Sequence, residues 1–478
     1  MTRQRGAVAV ALLVASTAAL SWLPALAGET LENGEIALRE SYARPLYLLL
    51  CAVAGASFLA LARRAWDAGP ELAPRRAARA VWLVALALRL PALFAPPWLS
   101  DDLSRYMWEG EVQRAGRSPY VLAPAARELE GLDDALRARV AHPEIPAVYP
   151  PAAQILFRVA AHGVTSWKLV VCAADLALVA FLLRRLARRE LPPARAILYA
   201  WHPLVVLEFC GSGHVDAIAL LLALGSIALA RGTRQRELTS GALAGLAGMV
   251  KPQGFVPLVG FLVQRRFAAL AAALCAALLV TLPFAGDGAR LFGGLRRYAH
   301  DWEFNGLVYP TMVRVAGSLK SFLEGLPTEP LGLWKVRELG YPIVPNQLAR
   351  KLALALFVLL AWWLARRLRE RPAALALGLL VAFLVTVPAA HPWYIAWLAP
   401  FLPFLPRRTG RALLLLTITT LAAGAVKVQS LATGVWTEPP WVALATWLLP
   451  CAVGAIDLWR VKTADEPPAG VTPPEARS

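Results

Sequence analysis

The chain has 478 residues, of which 58% are hydrophobic and only 17% charged. Soluble domains carry about a quarter charged residues, so a water-soluble enzyme is excluded at the outset. The 49 Lys and Arg against 32 Asp and Glu give a formal net charge of +17. The basic residues fall in short clusters between apolar runs, at 63–79, 184–189, 231–236, 265–266, 366–371 and 407–411, and so mark cytoplasmic loops rather than a nucleic-acid surface.

Apolar runs of spanning length recur from end to end, and at roughly 20 residues per crossing about 12 transmembrane helices fit. The fold class expected is an all-α polytopic membrane protein. The five cysteines, Cys51, Cys172, Cys210, Cys275 and Cys451, lie in or beside apolar runs. They show neither metal-ligand spacing nor a disulfide framework.

In chain order, Arg3 and Arg5 precede an apolar run ending at Ala25-Leu26-Ala27. A cleavable signal peptide is possible there; an uncleaved first span is preferred, because so many spans follow. Segment two (45–62) returns to the basic 63–79 loop and segment three (80–97) goes out again. A polar external stretch, 98–150, leads to an amphipathic run at 152–163, too short to span and read as an interfacial helix. Segments at 167–183, 194–210 and 215–230 follow.

Residues 240–263 lie between two basic loops and are broken by Lys251-Pro252, which predicts a re-entrant hairpin of two half-spans with both ends cytoplasmic. On that reading Lys251 is a cytoplasmic lipid or helix-end contact, outside any active site. A span at 267–285 exits to a second external loop, 286–350. Spans near 352–365, 373–388, 395–405, 412–426 and 440–456 complete the chain, ahead of a polar tail expected to be cytoplasmic and disordered. Within the spans, Arg89 and Asp175 fall near mid-membrane, where isolated charges are costly, and are expected to pair with each other.

The first external loop opens with Pro96-Pro97-Trp98-Leu99-Ser100-Asp101-Asp102. Two adjacent carboxylates at the membrane boundary can cap a helix, since Ser100 and Asp101 are good N-cap types. Alternatively, one is a general base whose pKa a low-dielectric setting raises.

The wider string, Ser100, Asp101, Asp102, Arg105, Tyr106, Trp108, Glu109, Gly110, Gly116, Pro119 and Tyr120, resembles the first external loop of integral-membrane GT-C glycosyltransferases. It is especially similar to that of bacterial mannosyltransferases using polyprenyl-phosphate sugars, glycosyltransferase family 87 and its neighbours. The stretches His142 to Gln154, Trp201 to Ala217 and His391 to Phe404 are similar to the same group, and His300 to Gly306 more weakly. Asp102, His214, Asp216, His300, Glu303, His391 and Tyr394 all fall on the external side of the expected topology, so polar groups distant in sequence converge on one face.

The resemblance implies a GT-C fold with a catalytic membrane core at 63–285 that includes the 98–150 loop. It is flanked by N-terminal helices (1–62), the second external loop (286–350), C-terminal helices (351–456) and the tail (457–478). It implies a glycosyltransferase of the bacterial cytoplasmic membrane, active on the outer face. The donor would be a polyprenyl-phosphate sugar, mannose first among them, and the acceptor a lipid-linked or polysaccharide glycan.

Asp102 is assigned as the base, with Asp101 orienting the acceptor or capping the helix, and direct displacement would invert the anomeric centre. Arg105 binds phosphate or pairs with the carboxylate; His391, Tyr394 and His214 are donor-binding candidates. Asp216, Trp108, Trp393, His300 and Glu303 are candidates for the sugar or acceptor. No cofactor is required on this reading, although adjacent aspartates can hold a divalent metal. Membrane lipids are the other expected partners, and nucleic acid is not. A flippase for polyprenyl-linked sugars, without covalent chemistry, is the alternative of a different class; it would need ionisable residues along a path through the membrane. A catalytically silent subunit of an envelope-assembly complex is a third.

Overall fold

The computed structural model describes residues 3–30, 36–69, 73–230, 232–325 and 344–464. Apart from a short antiparallel hairpin, β1 (Gly28–Thr30) with β2 (Ile36–Leu38), its regular structure is helical. The N-terminal helices are α1 (Arg3–Ser21), α2 (Glu40–Asp67) and α3 (Pro74–Phe94). Next come α4 (Asp102–Arg114) and α5 (Pro151–Ala160), the latter matching the amphipathic run expected at 152–163. The middle of the chain forms α6 (Val164–Ala187), α7 (Pro203–Val205, continuing as a π turn over Val206–Gly211), α8 (Asp216–Leu229), α9 (Arg234–Val250), α10 (Val256–Val263) and α11 (Phe267–Thr281). The rest comprises α12 (Gly293–Asp301), α13 (Tyr309–Gly325), α14 (Pro345–Leu368), α15 (Pro372–Thr386), α16 (Pro392–Ile395, continued by 3₁₀ turns to Phe404), α17 (Arg407–Thr419), α18 (Gly424–Thr433) and α19 (Pro440–Ala464).

Among the described residues seven helices are long and apolar enough to cross a membrane, and an eighth crossing forms if the bent pair α7–α8 is one span. The chain is a multi-pass membrane protein. The other segments read from sequence as spans fall on helices that are shorter, broken or loaded with buried charge. α7 and α8 meet at 115°. Pro400 and Pro403 interrupt the run after α16, where each removes a backbone donor.

The second long loop also differs from expectation, since 286–350 contains α12 and α13 and α14 already begins at Pro345. The expected disordered tail starts inside α19, which runs to Ala464, and residues 465–478 lie outside the described ones.

The basic loops gather at one end of the bundle. There Arg407 lies 3.0 Å from Asp67, Arg266 lies 3.7 Å from Glu237, and the Arg189 guanidinium covers Phe404. In the interior, the expected pair of buried charges is formed: Arg89 Nε donates to Asp175 Oδ2 at 2.6 Å. Arg89 also donates to the carbonyls of Ala85 and Ala200, while the Tyr199 hydroxyl donates to Asp175 Oδ1 at 2.6 Å. This satisfies both carboxylate oxygens, as a charge taken out of water requires. Lys168 is fully buried and donates to the carbonyls of Ala92 and Ala95 at 2.7 and 2.6 Å, neutralising the C-terminal end of α3. The N-terminal third and α6 are thereby locked together just beneath the segment that carries Asp102.

The hairpin α9–α10 departs furthest from the sequence reading. Its two ends do share the basic end of the bundle. α9 has 17 residues, beginning with the polar Arg234 to Glu237 turn, and so rises about 25 Å from the basic end. Glycine permits this depth. A Cβ on Gly241 or Gly245 would come within 2.0 and 2.3 Å of the carbonyl oxygens of Ala269 and Ala273, so α9 and α11 touch backbone to backbone. Such small-residue seams bring helices together where no hydrophobic effect operates between them. The apex, Lys251, is carried to the end of the bundle opposite the basic loops.

Candidate functional site

Six separate pieces of chain meet at that opposite end. Asp102 opens α4, its backbone N–H donating to Ser100 Oγ at 3.2 Å. Tyr149 comes from the segment before α5 and donates its hydroxyl to Asp102 Oδ2 at 2.7 Å; Tyr106 lies 3.0 Å from the Tyr149 hydroxyl and 3.4 Å from the same carboxylate oxygen. Tyr106 stacks on Phe157 at 4.4 Å, which fixes α4 on α5. The Tyr149 carbonyl accepts from the Tyr120 hydroxyl at 2.7 Å, so the surface that carries Asp102 is braced.

The kink between α7 and α8 supplies the third piece. Gly213 adopts φ +74°, and a Cβ there would press against Trp167 and Lys168, so only glycine suits the turn. Trp167 Nε1 donates to the Gly213 carbonyl at 2.7 Å. The turn aims His214, fully buried, with Nδ1 3.5 Å from Asp102 Oδ2 and Nε2 3.3 Å from Glu208 Oε2. Asp216, the first residue of α8, accepts from Trp397 Nε1 at 2.8 Å and lies 3.0 Å from Lys251 Nζ. The Lys251 ammonium is buried between the Tyr149 and Tyr394 rings, 5.0 and 5.2 Å from their centres. Cation–π attraction thus supplements the ion pair.

The last pieces are the stretch around His391 and the approach to α13. Phe304 and Ala389 form a parallel bridge, with Phe304 N donating to Pro388 O and Ala390 N to Phe304 O. Phe304 stacks on His391 (5.1 Å), His391 on Trp393 (4.3 Å) and Trp393 on His214 (4.1 Å). Tyr394 and Tyr298 share a hydroxyl contact at 2.8 Å, which brings α12 over the site.

Electrostatically the site alternates sign. Burial raises the Asp102 carboxyl, but the adjacent His214 imidazole, then Lys251 and the Tyr149 hydroxyl, outweigh it and hold the group well below the usual carboxylate range. This is the reverse of the upward shift expected from sequence: the low-dielectric setting is present, and so are His214, expected on this face, and Lys251, expected on the opposite one. The Asp102 side chain is 29% exposed, so one edge remains open to a ligand.

The expected site residues divide. Asp102, His214, Asp216, His391, Tyr394 and Trp393 come together. Asp101 points away and pairs with Lys427 at 2.6 Å, with half its side chain exposed. Arg105 does not face Asp102 or a phosphate. Its guanidinium donates to the carbonyls of Ala141, His142 and Ile145 and lies 3.3 Å from Glu109, so it organises the 98–150 segment. Trp108 is buried with Val112, Leu129 and Val140 inside that same segment, away from the site. Glu303 is held by Tyr309, Asn346 and Arg350, and His300 pairs with Asp301. Both line a separate open cavity of about 580 Å³. The 300–306 stretch reaches the site through Phe304 instead.

Lys251 is the main correction. Read from sequence as a cytoplasmic contact, it stands in the centre of the site, because the hairpin apex packs against Asp216 at the start of α8. A lone lysine inside an apolar hairpin was itself the signal, since such a charge is expensive unless used. Glu208 was also missed, although it lies six residues before His214 in the same motif. Among the described residues, no three His, Cys, Asp or Glu side chains are grouped so as to hold a metal ion.

Compared with known families, the chain matches the model described as alpha-(1->6)-mannopyranosyltransferase, N-terminal domain, over residues 3–267, more than half its length. It also matches the model of glycosyltransferase family 87 over residues 147–389. The two matches overlap across His214, Asp216 and Lys251. No curated protein and no solved structure matches the chain.

Proposed function

The chain belongs to the alpha-(1->6)-mannopyranosyltransferase family and is a membrane glycosyltransferase, and from that premise we propose that it transfers mannose from a polyprenyl-phosphate donor to a lipid-linked or polysaccharide acceptor. The reaction takes place on the outer face of the bacterial cytoplasmic membrane. The observation that carries this reading is the Asp102 carboxylate, open on one edge, with Tyr149 hydrogen-bonded to it and packed in turn against a buried lysine. One group accepts a proton and the other receives a departing anion.

In the proposed step the acceptor hydroxyl approaches the open edge of Asp102. Its oxygen forms a bond to the anomeric carbon as the bond from that carbon to the phosphate oxygen breaks. The acceptor proton passes to Asp102 and the electron pair leaves with the phosphate. A single displacement of this kind inverts the anomeric centre, unlike the two-carboxylate retaining route. Lys251 shifts from Asp216 towards the leaving phosphate, and His391 with Tyr394 closes the far side. Fixed positive charge aimed at a developing anion in a water-poor site is an effective form of catalysis. No metal is assigned a role, since Lys251 supplies the countercharge.

The reading is tested with radiolabelled polyprenyl-phosphate mannose in proteoliposomes containing an acceptor-lipid extract. Transfer by the wild type that disappears in Asp102→Asn is the expected result. Full transfer by the variant would remove Asp102 from the mechanism, and donor crossing the bilayer without transfer would replace the enzyme by a flippase.

A further inference from the structure

One buried carboxylate near the site has no part in the step just described. Glu208 lies in the π turn Val206–Gly211 and is only 6% exposed. π turns are uncommon and concentrate at functional sites. This one folds back on itself, with His214 N donating to Glu208 O at 3.2 Å while the Glu208 carboxylate lies 3.3 Å from His214 Nε2. The other ring nitrogen lies 3.5 Å from Asp102 Oδ2. The imidazole is therefore sandwiched edge to edge between two carboxylates and clamped on one face by Trp393.

Neutral imidazole carries one N–H and one lone pair, and its lone pair would face a carboxylate with nothing to donate. Only the imidazolium offers an N–H to both. Burying Glu208 as an anion is costly unless a cation answers it, and among the described residues the cationic partner beside it is His214.

We propose that Glu208 is a positioning residue acting through His214: it keeps the imidazole charged and edge-on, and thereby keeps Asp102 ionised and pointed at the acceptor. The inference rests on Asp102 being the base. Asp102 is faced by Tyr106 from α4, Tyr149 from the segment before α5, His214 from the kink and Lys251 from the hairpin apex. Its charge is also felt by Tyr298 of α12 and by His391 and Tyr394. His214 is faced by Asp102, Glu208, Trp393 and, behind the indole, His391. Glu208 is faced by His214 and, from α2, Tyr47. Replacing Glu208 by a neutral amide removes half of the charge that holds the imidazolium. Asp102 then loses its cationic partner, and its protonation moves up in pH.

The test compares kcat, donor KM and the acid limb of kcat/KM for wild type, Glu208→Gln, Glu208→Asp and Asp102→Asn. All four are reconstituted in proteoliposomes with polyprenyl-phosphate mannose, and thermal unfolding is recorded for each. The expected result for Glu208→Gln is a kcat lowered by about tenfold to a hundredfold, a donor KM little changed, and an acid limb displaced to higher pH. Glu208→Asp, which withdraws the carboxylate by one methylene, falls between. Wild-type pH profiles in both Glu208 variants would overturn the proposal. So would a loss of activity that follows thermal stability with the acid limb unmoved. If Asp102→Asn is as active as wild type, the base assignment fails and this proposal with it; if Asp102→Asn is inactive while the Glu208 profiles stay fixed, only the role of Glu208 is refuted.

Discussion

Lys251 Nζ lies 3.0 Å from Asp216 Oδ2, with the lysine 4% exposed and the aspartate fully buried. The chain between them forms α8 and α9, and the pair ties the apex of the α9–α10 hairpin to the start of α8. A buried ion pair contributes little net stability compared with apolar packing, but removing one partner strands the other.

Lys251→Met is expected to lower kcat/KM for the donor by about a hundredfold, the order of a lost hydrogen bond to a charged group. Because the variant also strands Asp216, thermal stability falls. The double variant Lys251→Met/Asp216→Asn separates the two effects, recovering stability but not transfer. A double variant with wild-type turnover would make Lys251 purely structural.

The Arg89–Asp175 pair gives a stability prediction independent of catalysis. Arg89→Met or Asp175→Asn leaves a buried charge without its partner and is expected to destabilise the fold by about 3–5 kcal/mol. Joint replacement by Leu at both positions should recover most of that loss. Thermal unfolding in detergent is the measurement, and a double variant as unstable as the singles would refute a simple pairing.

Asp102 sets the pH dependence. Its carboxyl is held below the ordinary range because His214, Lys251 and Tyr149 outweigh the effect of burial. A depressed group stays ionised above the usual carboxylate pKa of about 4 and is protonated only as pH falls below that. The stability it confers is likewise present above the unfolded pKa and is lost as pH falls through the folded one. Transfer is expected to persist to about pH 4 with no inflection from this carboxyl. An acid limb centred at ordinary carboxylate values in wild type would contradict the arrangement.

The neighbouring carboxylate should behave differently. Asp101 pairs with Lys427 at the surface, and exposed pairs contribute about 0–1 kcal/mol. Asp101→Asn is accordingly expected to cost no more than about fivefold in kcat/KM, whereas Asp102→Asn abolishes turnover. Equal losses in the two variants would mean that Asp101 shares the chemistry.

The depth of the hairpin can be tested through its glycines. A side chain on Gly245 meets the Ala273 backbone directly, and backbone cannot move aside as a flexible side chain can. Gly245→Leu should push α9 away from α11, lowering the unfolding temperature and withdrawing Lys251 from Asp216. Gly317 of α13 has open space around its Cβ position, so Gly317→Ala is the control expected to keep activity. Undiminished transfer in Gly245→Leu would show that the apex position does not depend on that seam.

Sequence alone determined the class and much of the layout. Long apolar runs and short basic loops require helices through a bilayer with their basic ends together, and charges as isolated as Arg89 and Asp175 had to find partners. The motifs around Asp102, His214 and His391 could be placed on one face because alternating spans carry alternate loops to the same side. Tertiary structure decided the rest. Whether Arg105 met phosphate or carbonyls depended on how the 98–150 segment folded over it, which no local pattern encodes. Whether Lys251 stood at the basic end or in the site depended on how closely α9 could approach α11, a matter of contact between backbones. Glu208 became a partner of His214 only through a π turn, whose extra residue rotates a side chain in a way that helical periodicity does not register. Hydrophobic periodicity and charge report what each segment needs from its solvent, while the choice of neighbour among buried polar groups is settled by packing between segments far apart in the chain.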